Sequence, residues 1–187
     1  MDLQQAIRSR RAVREFTTES IDKATLRRLI DAAVQAPSAV DEQSWSFSVI
    51  QDKGLLGRIS NEARAHILRA PPTGVSSHHF QEILSDPNFD IFYRAPVLIV
   101  ISSVTQGQWA VENCSLAAEN LMLAACAEGL GTCWIGFAQT WLGTPEGKTV
   151  LGVAAGALPV APIIVGHPKS ATPPVPRKEP QIRWIGP

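Results

Sequence analysis

Three arginines stand within five residues near the N-terminus, in the run Arg10-Arg11-Ala12-Val13-Arg14, with Phe16 two positions on. Each guanidinium offers a planar fork of donors and keeps its charge at every physiological pH. Such a cluster suits a phosphate better than a carboxylate. Taken alone, the run also fits a solvated basic helix end, since it closes a short helix-like stretch with Leu3, Ala6 and Ile7 apolar. About 20 residues later Ala36-Pro37-Ser38-Ala39-Val40-Asp41-Glu42-Gln43-Ser44-Trp45 ends a strongly periodic helix. A third segment, Gly129-Leu130-Gly131-Thr132-Cys133-Trp134-Ile135-Gly136, follows a long apolar helix. A basic pair, Arg177-Lys178, lies in a proline-rich tail. Neither a catalytic triad nor a metal-ligand spacing is present. The three cysteines fit no zinc or CxxC pattern, and His78-His79 reads as an exposed pair in a polar loop.

The elements that must position these segments follow from periodicity. Residues 22–36 carry Leu26, Leu29, Ile30, Ala33 and Val34 on one face, with Asp22 as N-cap and Pro37 as stop. A half-buried strand is expected over 46–49, a helix over 52–68, and a strand buried on both faces over 97–101. The stretch 110–128 is apolar nearly all round and belongs inside a protein or at a large interface. Strands over 132–135 and 160–165 flank a short helix that starts at Thr144-Pro145. Residues 70–94 read as a loop or lid with at most a turn or two of helix. The last 21 residues hold six prolines (Pro168, Pro173, Pro174, Pro176, Pro180 and Pro187) and should run extended, with Ile182, Trp184 and Ile185 docking on a surface. The fold class is therefore α+β, a small mixed sheet surrounded by helices, in one domain over 1–187.

Seventeen basic residues balance seventeen acidic ones, so no general affinity for nucleic acid or membrane surface is expected, and the arginine cluster must serve a local anion. The N-terminus lacks a charged region followed by an apolar run, and the apolar runs are too short to span a bilayer; the expectation is a cytoplasmic protein.

The two N-terminal motifs, the Gly-Leu-Gly-Thr-Cys-Trp-Ile-Gly segment and the strand ending in Gly166-His167-Pro168 together resemble the nitroreductase-like FMN-dependent flavoproteins, over nearly the whole chain. The resemblance implies a homodimer binding one FMN per site at the subunit boundary. Arg10, Arg11 and Ala12 would touch the phosphate and ribityl end, with Arg14 in support. Pro37, Ser38, Ala39, Asp41 and Gln43 would reach the flavin from the partner subunit. Trp134, Ile135 and Gly136 would line the flavin edge, and Arg177 with Lys178 would close over the phosphate. The implied activity takes hydride from NADH or NADPH and reduces a small acceptor such as a nitroaromatic or quinone. Transfer at the flavin N5 needs no general base from the chain. Two alternatives stay open: a flavin-dependent dehydrogenase or oxidase of a small metabolite, and an FMN-binding protein without turnover. The chain departs from the family pattern at Ala12 (commonly Ser), Asp41 (commonly Asn) and Ser44 (commonly Pro), and Asp41 would bring a negative charge towards the flavin.

Overall fold

The computed structural model describes residues 1–70 and 78–186, leaving aside the side chains of 78–80. Seven helices and four strands are formed among them: α1 (Leu3–Ser9), α2 (Lys23–Ala33), β1 (Trp45–Ile50), α3 (Lys53–Arg69), α4 (His78–Ser85), β2 (Val97–Ser103), α5 (Ala110–Ala127), β3 (Gly131–Trp134), α6 (Gly136–Leu142), α7 (Pro145–Leu151) and β4 (Leu158–Gly166).

The helix starts are written in the local sequence. Asp2 and Gln5 form a reciprocal capping box. Asp22 accepts from the Thr25 amide at 2.9 Å, a bond that holds its carboxyl below the usual range. Asp52 caps α3 through the Leu55 amide at 2.7 Å. Thr144 caps α7, whose first residue is Pro145, and Gly152 ends it in a left-handed conformation. The expected caps at Asp22 and Thr144 are thus the observed ones.

The sheet has strand order β1-β2-β4-β3, and every pairing is antiparallel. This corrects the mixed sheet expected from the sequence. β2 and β3, joined through α5, do run parallel to each other, but β4 inserts antiparallel between them and pairs with both. The register skips Val160 where Ile101 faces Ala161 and Ser102 faces Pro159, a bulge in a strand that also holds Pro162.

Helices cover both faces of this sheet. Val97, Ile99, Ile101, Ile163 and Val165 point into a core made with Leu26 and Leu29 of α2 and Cys114, Ala117, Ala118 and Leu121 of α5. The alternate residues Leu98, Val100 and Ile164 enter a second core with Leu56, Ile59 and Ala63 of α3 and Ala138 and Leu142 of α6. The unbroken aliphatic run Val97-Leu98-Ile99-Val100-Ile101 of β2 is the signature of that two-sided burial, and residues 97–101 are 0% exposed. Burying such a run on two faces supplies much of the drive for folding, at roughly 25 cal/mol per Å² of apolar surface.

Part of the expected loop or lid is the helix α4, followed by a hydrogen-bonded turn that leads into β2; residues 71–77 of that expectation lie outside the described residues. Among the described residues beyond Lys169 there is no helix or strand, and Ile182, Trp184 and Ile185 are exposed in the single chain. Among the described residues no helix is long and apolar enough to cross a membrane.

Candidate functional site

The arginine run is laced to the edge of the sheet. Ala12 bridges Thr132 in parallel, with the Val13 amide donating to the Thr132 carbonyl at 2.9 Å. Further along, Phe16 bridges Pro168 and the Thr17 amide donates to the His167 carbonyl. The approach is close: a Cβ on Gly131 would sit 2.8 Å from Val13, so only glycine fits there. This backbone places the first and third sequence motifs side by side.

The three guanidinium groups then differ in their partners. Arg10 Nε pairs with Glu119 of α5 at 3.2 Å. Arg11 Nη1 donates to the carbonyls of Arg8 and Arg10, both at 2.7 Å, while its Nε is buried and has no hydrogen-bond partner. Arg14 has its guanidinium carbon 5.8 Å from the centre of the Tyr93 ring. A buried guanidinium nitrogen without an acceptor is costly, and an anion at that position would relieve it.

Arg14 opens into a cavity of about 700 Å³ that also holds Tyr93, Trp134, Ile135, Gly136, Phe137, Leu158 and Pro159. Among the described residues that line it, Arg14 is the one that carries a formal charge. Gly136 is exposed, and a Cβ built there would meet nothing within 4 Å, so the backbone after Trp134 stands open to a ligand. Cys133 also lines the cavity, but burial pushes its thiol pKa up, which keeps it neutral and unreactive. The donor set is a cationic fork and open main chain beside aromatic walls, which suits a flat ligand bearing an anion.

The second motif forms a separate concavity, lined by Val34, Gln35, Ala36, Pro37, Ser38, Asp41 and Gln43. No residue lines both hollows. Ala39–Asp41 is a single 3-10 turn in a loop where Val40, Asp41 and Gln43 have φ of 48°, 56° and 46°. Three non-glycine residues in the left-handed region, one of them β-branched, mark a strained segment of the kind that clusters at functional sites. Its anchors are Ser38 Oγ, which accepts from the Gln43 amide at 3.0 Å, and Asn113 of α5, whose Oδ1 accepts from the Ala39 amide at 3.0 Å. Asn113 Nδ2 also donates to Glu42 at 3.2 Å. Asp41 accepts from Gln43 Nε2 at 2.6 Å and has no ion pair among the described residues.

Within one chain, therefore, Arg14 shares a cavity with Trp134, Ile135 and Gly136, and Ala12 is bridged to Thr132 on the same strand, while Arg10 and Arg11 are not among the described residues that line that cavity. The fold keeps Pro37, Ser38, Ala39, Asp41 and Gln43 apart from it. Arg177 and Lys178 stand exposed in the tail with no hydrogen bond or ion pair among the described residues. His78 and His79 open α4, and their side chains lie outside the described residues. Among the described residues no group of three His, Cys, Asp or Glu side chains could hold a metal ion. Sequence reading missed Asn113 and Tyr93. Asn113 was detectable as a polar residue in an otherwise apolar helix; Tyr93 had no signal beyond being the one tyrosine of the chain.

Comparison with known proteins places this geometry. The sequence profile described as "Nitroreductase family" matches residues 7–167. An inferred NADH dehydrogenase/NAD(P)H nitroreductase of Methanothermobacter thermautotrophicus is 28% identical over 123 residues, which cover 63% of this chain and 52% of that one. The chain thus spans about half the length of that curated relative. A nitroreductase with bound FMN from Bacteroides fragilis superposes with a TM-score of 0.87 over 100% of both chains, at 22% identity. An FMN-dependent nitroreductase from Clostridium difficile superposes with a TM-score of 0.78, at 25% identity over 98% of this chain and 99% of that one.

Proposed function

The chain belongs to the nitroreductase family, and from that premise we propose that it is an FMN-dependent oxidoreductase that accepts hydride from NADH or NADPH and reduces a small acceptor such as a nitroaromatic or quinone. The observation that carries the reading is the Arg11 Nε, buried without an acceptor in a segment bonded directly to the strand that ends at Trp134. Bound FMN would supply the electron chemistry, storing the hydride and passing its electrons on.

The chain's own residues supply binding and orientation. Arg11 donates to the phosphate from a guanidinium already fixed by its Nη1 bonds to the Arg8 and Arg10 carbonyls. Arg10 assists from its pairing with Glu119, and Arg177 with Lys178 closes over the same anion from the tail. Ala12, in place of a hydroxyl residue, leaves the phosphate to guanidinium and main-chain donors. Trp134 and Ile135 line the cavity beside Gly136, whose open main chain faces the polar edge of the ring, and an amide N–H aimed at developing negative charge is preorganised for it. Arg14 stands in the same cavity as a fixed positive charge.

The Pro37–Gln43 loop completes the site from a second copy of the chain. In support, its concavity shares no residue with the cavity, and Val40 at its tip is 96% exposed. Leu3 and Ile7 of α1 and Val111 and Leu116 of α5 are exposed apolar residues suited to the same homodimer interface.

The test is to express the protein, extract any yellow chromophore and identify it, then add FMN to stripped protein while following absorbance and melting temperature. The expected result is about one FMN per chain and a raised melting temperature. A colourless protein indifferent to added FMN would sink the reading.

A further inference from the structure

We propose that Tyr93 is a specificity-determining residue of the cavity, an aromatic wall that selects flat aromatic acceptors over small inorganic ones; this rests on the oxidoreductase reading above. The segment that carries it is built with unusual care. Tyr93 and Arg94 have φ of 53° and 58°, two successive bulky residues in the left-handed region. Such a conformation is unfavourable for residues with a Cβ and persists only where surrounding bonds enforce it.

Those bonds are present. Asp90 uses both carboxylate oxygens, Oδ1 accepting from the Phe92 amide at 2.9 Å and Oδ2 from the Arg94 amide at 3.0 Å. The Ile91 amide donates to Ser60 Oγ of α3 at 3.1 Å. Arg64, also on α3, donates through Nη1 to the carbonyls of Asp86 and Phe89, each at 2.6 Å. Phe89 then meets the Tyr93 ring edge to face, with centroids 5.7 Å apart and planes at 83°. Ile91 and Phe92, immediately before it, are buried anchors at 0% and 1% exposure. The outcome of all this bracing is that Tyr93, half-buried, lines the cavity beside Trp134 and Phe137. Arg14 sits on the ring and fixes its other neighbour.

A wall held so firmly discriminates by shape. It adds ring-to-ring contact for a planar acceptor and offers nothing to a small hydrated anion. Arg64 is then a positioning residue, acting through the turn that presents Tyr93.

The experiment uses FMN-loaded protein with saturating NADH or NADPH, whichever reduces it, and three acceptors: menadione, 4-nitrobenzoate and ferricyanide. Tyr93→Leu should raise KM for the two aromatic acceptors about three- to tenfold, the range expected for one lost aromatic contact. With each variant saturated with FMN, the ferricyanide KM should stay unchanged. Tyr93→Phe should behave as wild type, because the ring and not the hydroxyl is invoked. Arg64→Leu, which removes both bonds to the Asp86 and Phe89 carbonyls, should reproduce the Tyr93→Leu pattern in weaker form. Unchanged aromatic KM values in Tyr93→Leu, or an equal rise for ferricyanide, would overturn the proposal. A wild-type protein that takes up no FMN would instead remove the oxidoreductase reading, and this inference with it.

Discussion

Replacing Arg11 by alanine separates recognition of a phosphate from recognition of a ring. In the chain, Arg11 Nη1 is committed to two carbonyls at 2.7 Å, and Nε is buried with no acceptor, so one donor is held in place with nothing to bond. A hydrogen bond to a charged group contributes about 1.5–3 kcal/mol. At about 1.4 kcal/mol per tenfold, Arg11→Ala should weaken FMN binding roughly ten- to 150-fold. Riboflavin carries the same ring without the phosphate, and its affinity should change by less than about threefold. Arg11→Lys should fall between, keeping charge but losing the planar fork. The assay is fluorescence titration of stripped protein with each ligand at fixed ionic strength, with the melting temperature recorded to account for the two lost carbonyl bonds. Equal losses for FMN and riboflavin, or no loss for FMN, would refute the assignment of Arg11 to the phosphate.

Asp41 is bonded to Gln43 and to no arginine, so Asp41→Asn removes an unneutralised charge; it should raise the flavin midpoint potential by tens of millivolts, about 30 mV being equivalent to 1.4 kcal/mol for a two-electron couple, as a redox-dye titration would show. Gly147→Ala drives a Cβ to within 2.3 Å of the Trp141 carbonyl and 2.6 Å of Leu142 Cα, backbone atoms that cannot swing away. It should cost about 3 kcal/mol and lower Tm by roughly 6–12 °C in a thermal melt. Burial pushes the Cys114 thiol up to about 11. An unfolded thiol ionises near 8.5, so the unfolded chain loses its proton first and stability falls as pH rises from about 9 to 11. In denaturant titrations across that window Cys114→Ala should show a smaller fall, and equal slopes would contradict the burial argument.

How much of this was legible follows from which interactions are local. Asp22 and Thr144-Pro145 set helix starts through bonds three residues away, so their positions could be read directly. β2 announced its two-sided burial by composition alone. The insertion of β4 between β2 and β3 could not be read, because strand partners are chosen by global packing. Helix α6 was missed for a different reason: it begins at Gly136, straight after β3, with no side-chain cap to mark its start. Glycine is a poor helix former, yet at position 147 the close approach to Trp141 requires it. In the site, the arginine run and the Gly-Leu-Gly-Thr segment stood out by residue type and spacing, and the Val13 to Thr132 bond that ties one segment to the other joins positions too far apart in sequence to be read from it. The strain at Tyr93 is enforced by Asp90 locally and by Ser60 and Arg64 of α3 from 22 or more residues away, and the anchoring role of Asn113 is likewise long-range, so neither leaves a periodic trace.

The central claim is that this chain holds a flavin that a nicotinamide reduces. The most direct measurement is the absorbance spectrum of the FMN-loaded protein, kept free of oxygen, after adding NADH and then NADPH in separate runs. The account predicts that at least one of them bleaches the yellow band completely, and that menadione restores it. A bound flavin that neither nicotinamide bleaches, but dithionite does, would contradict the account.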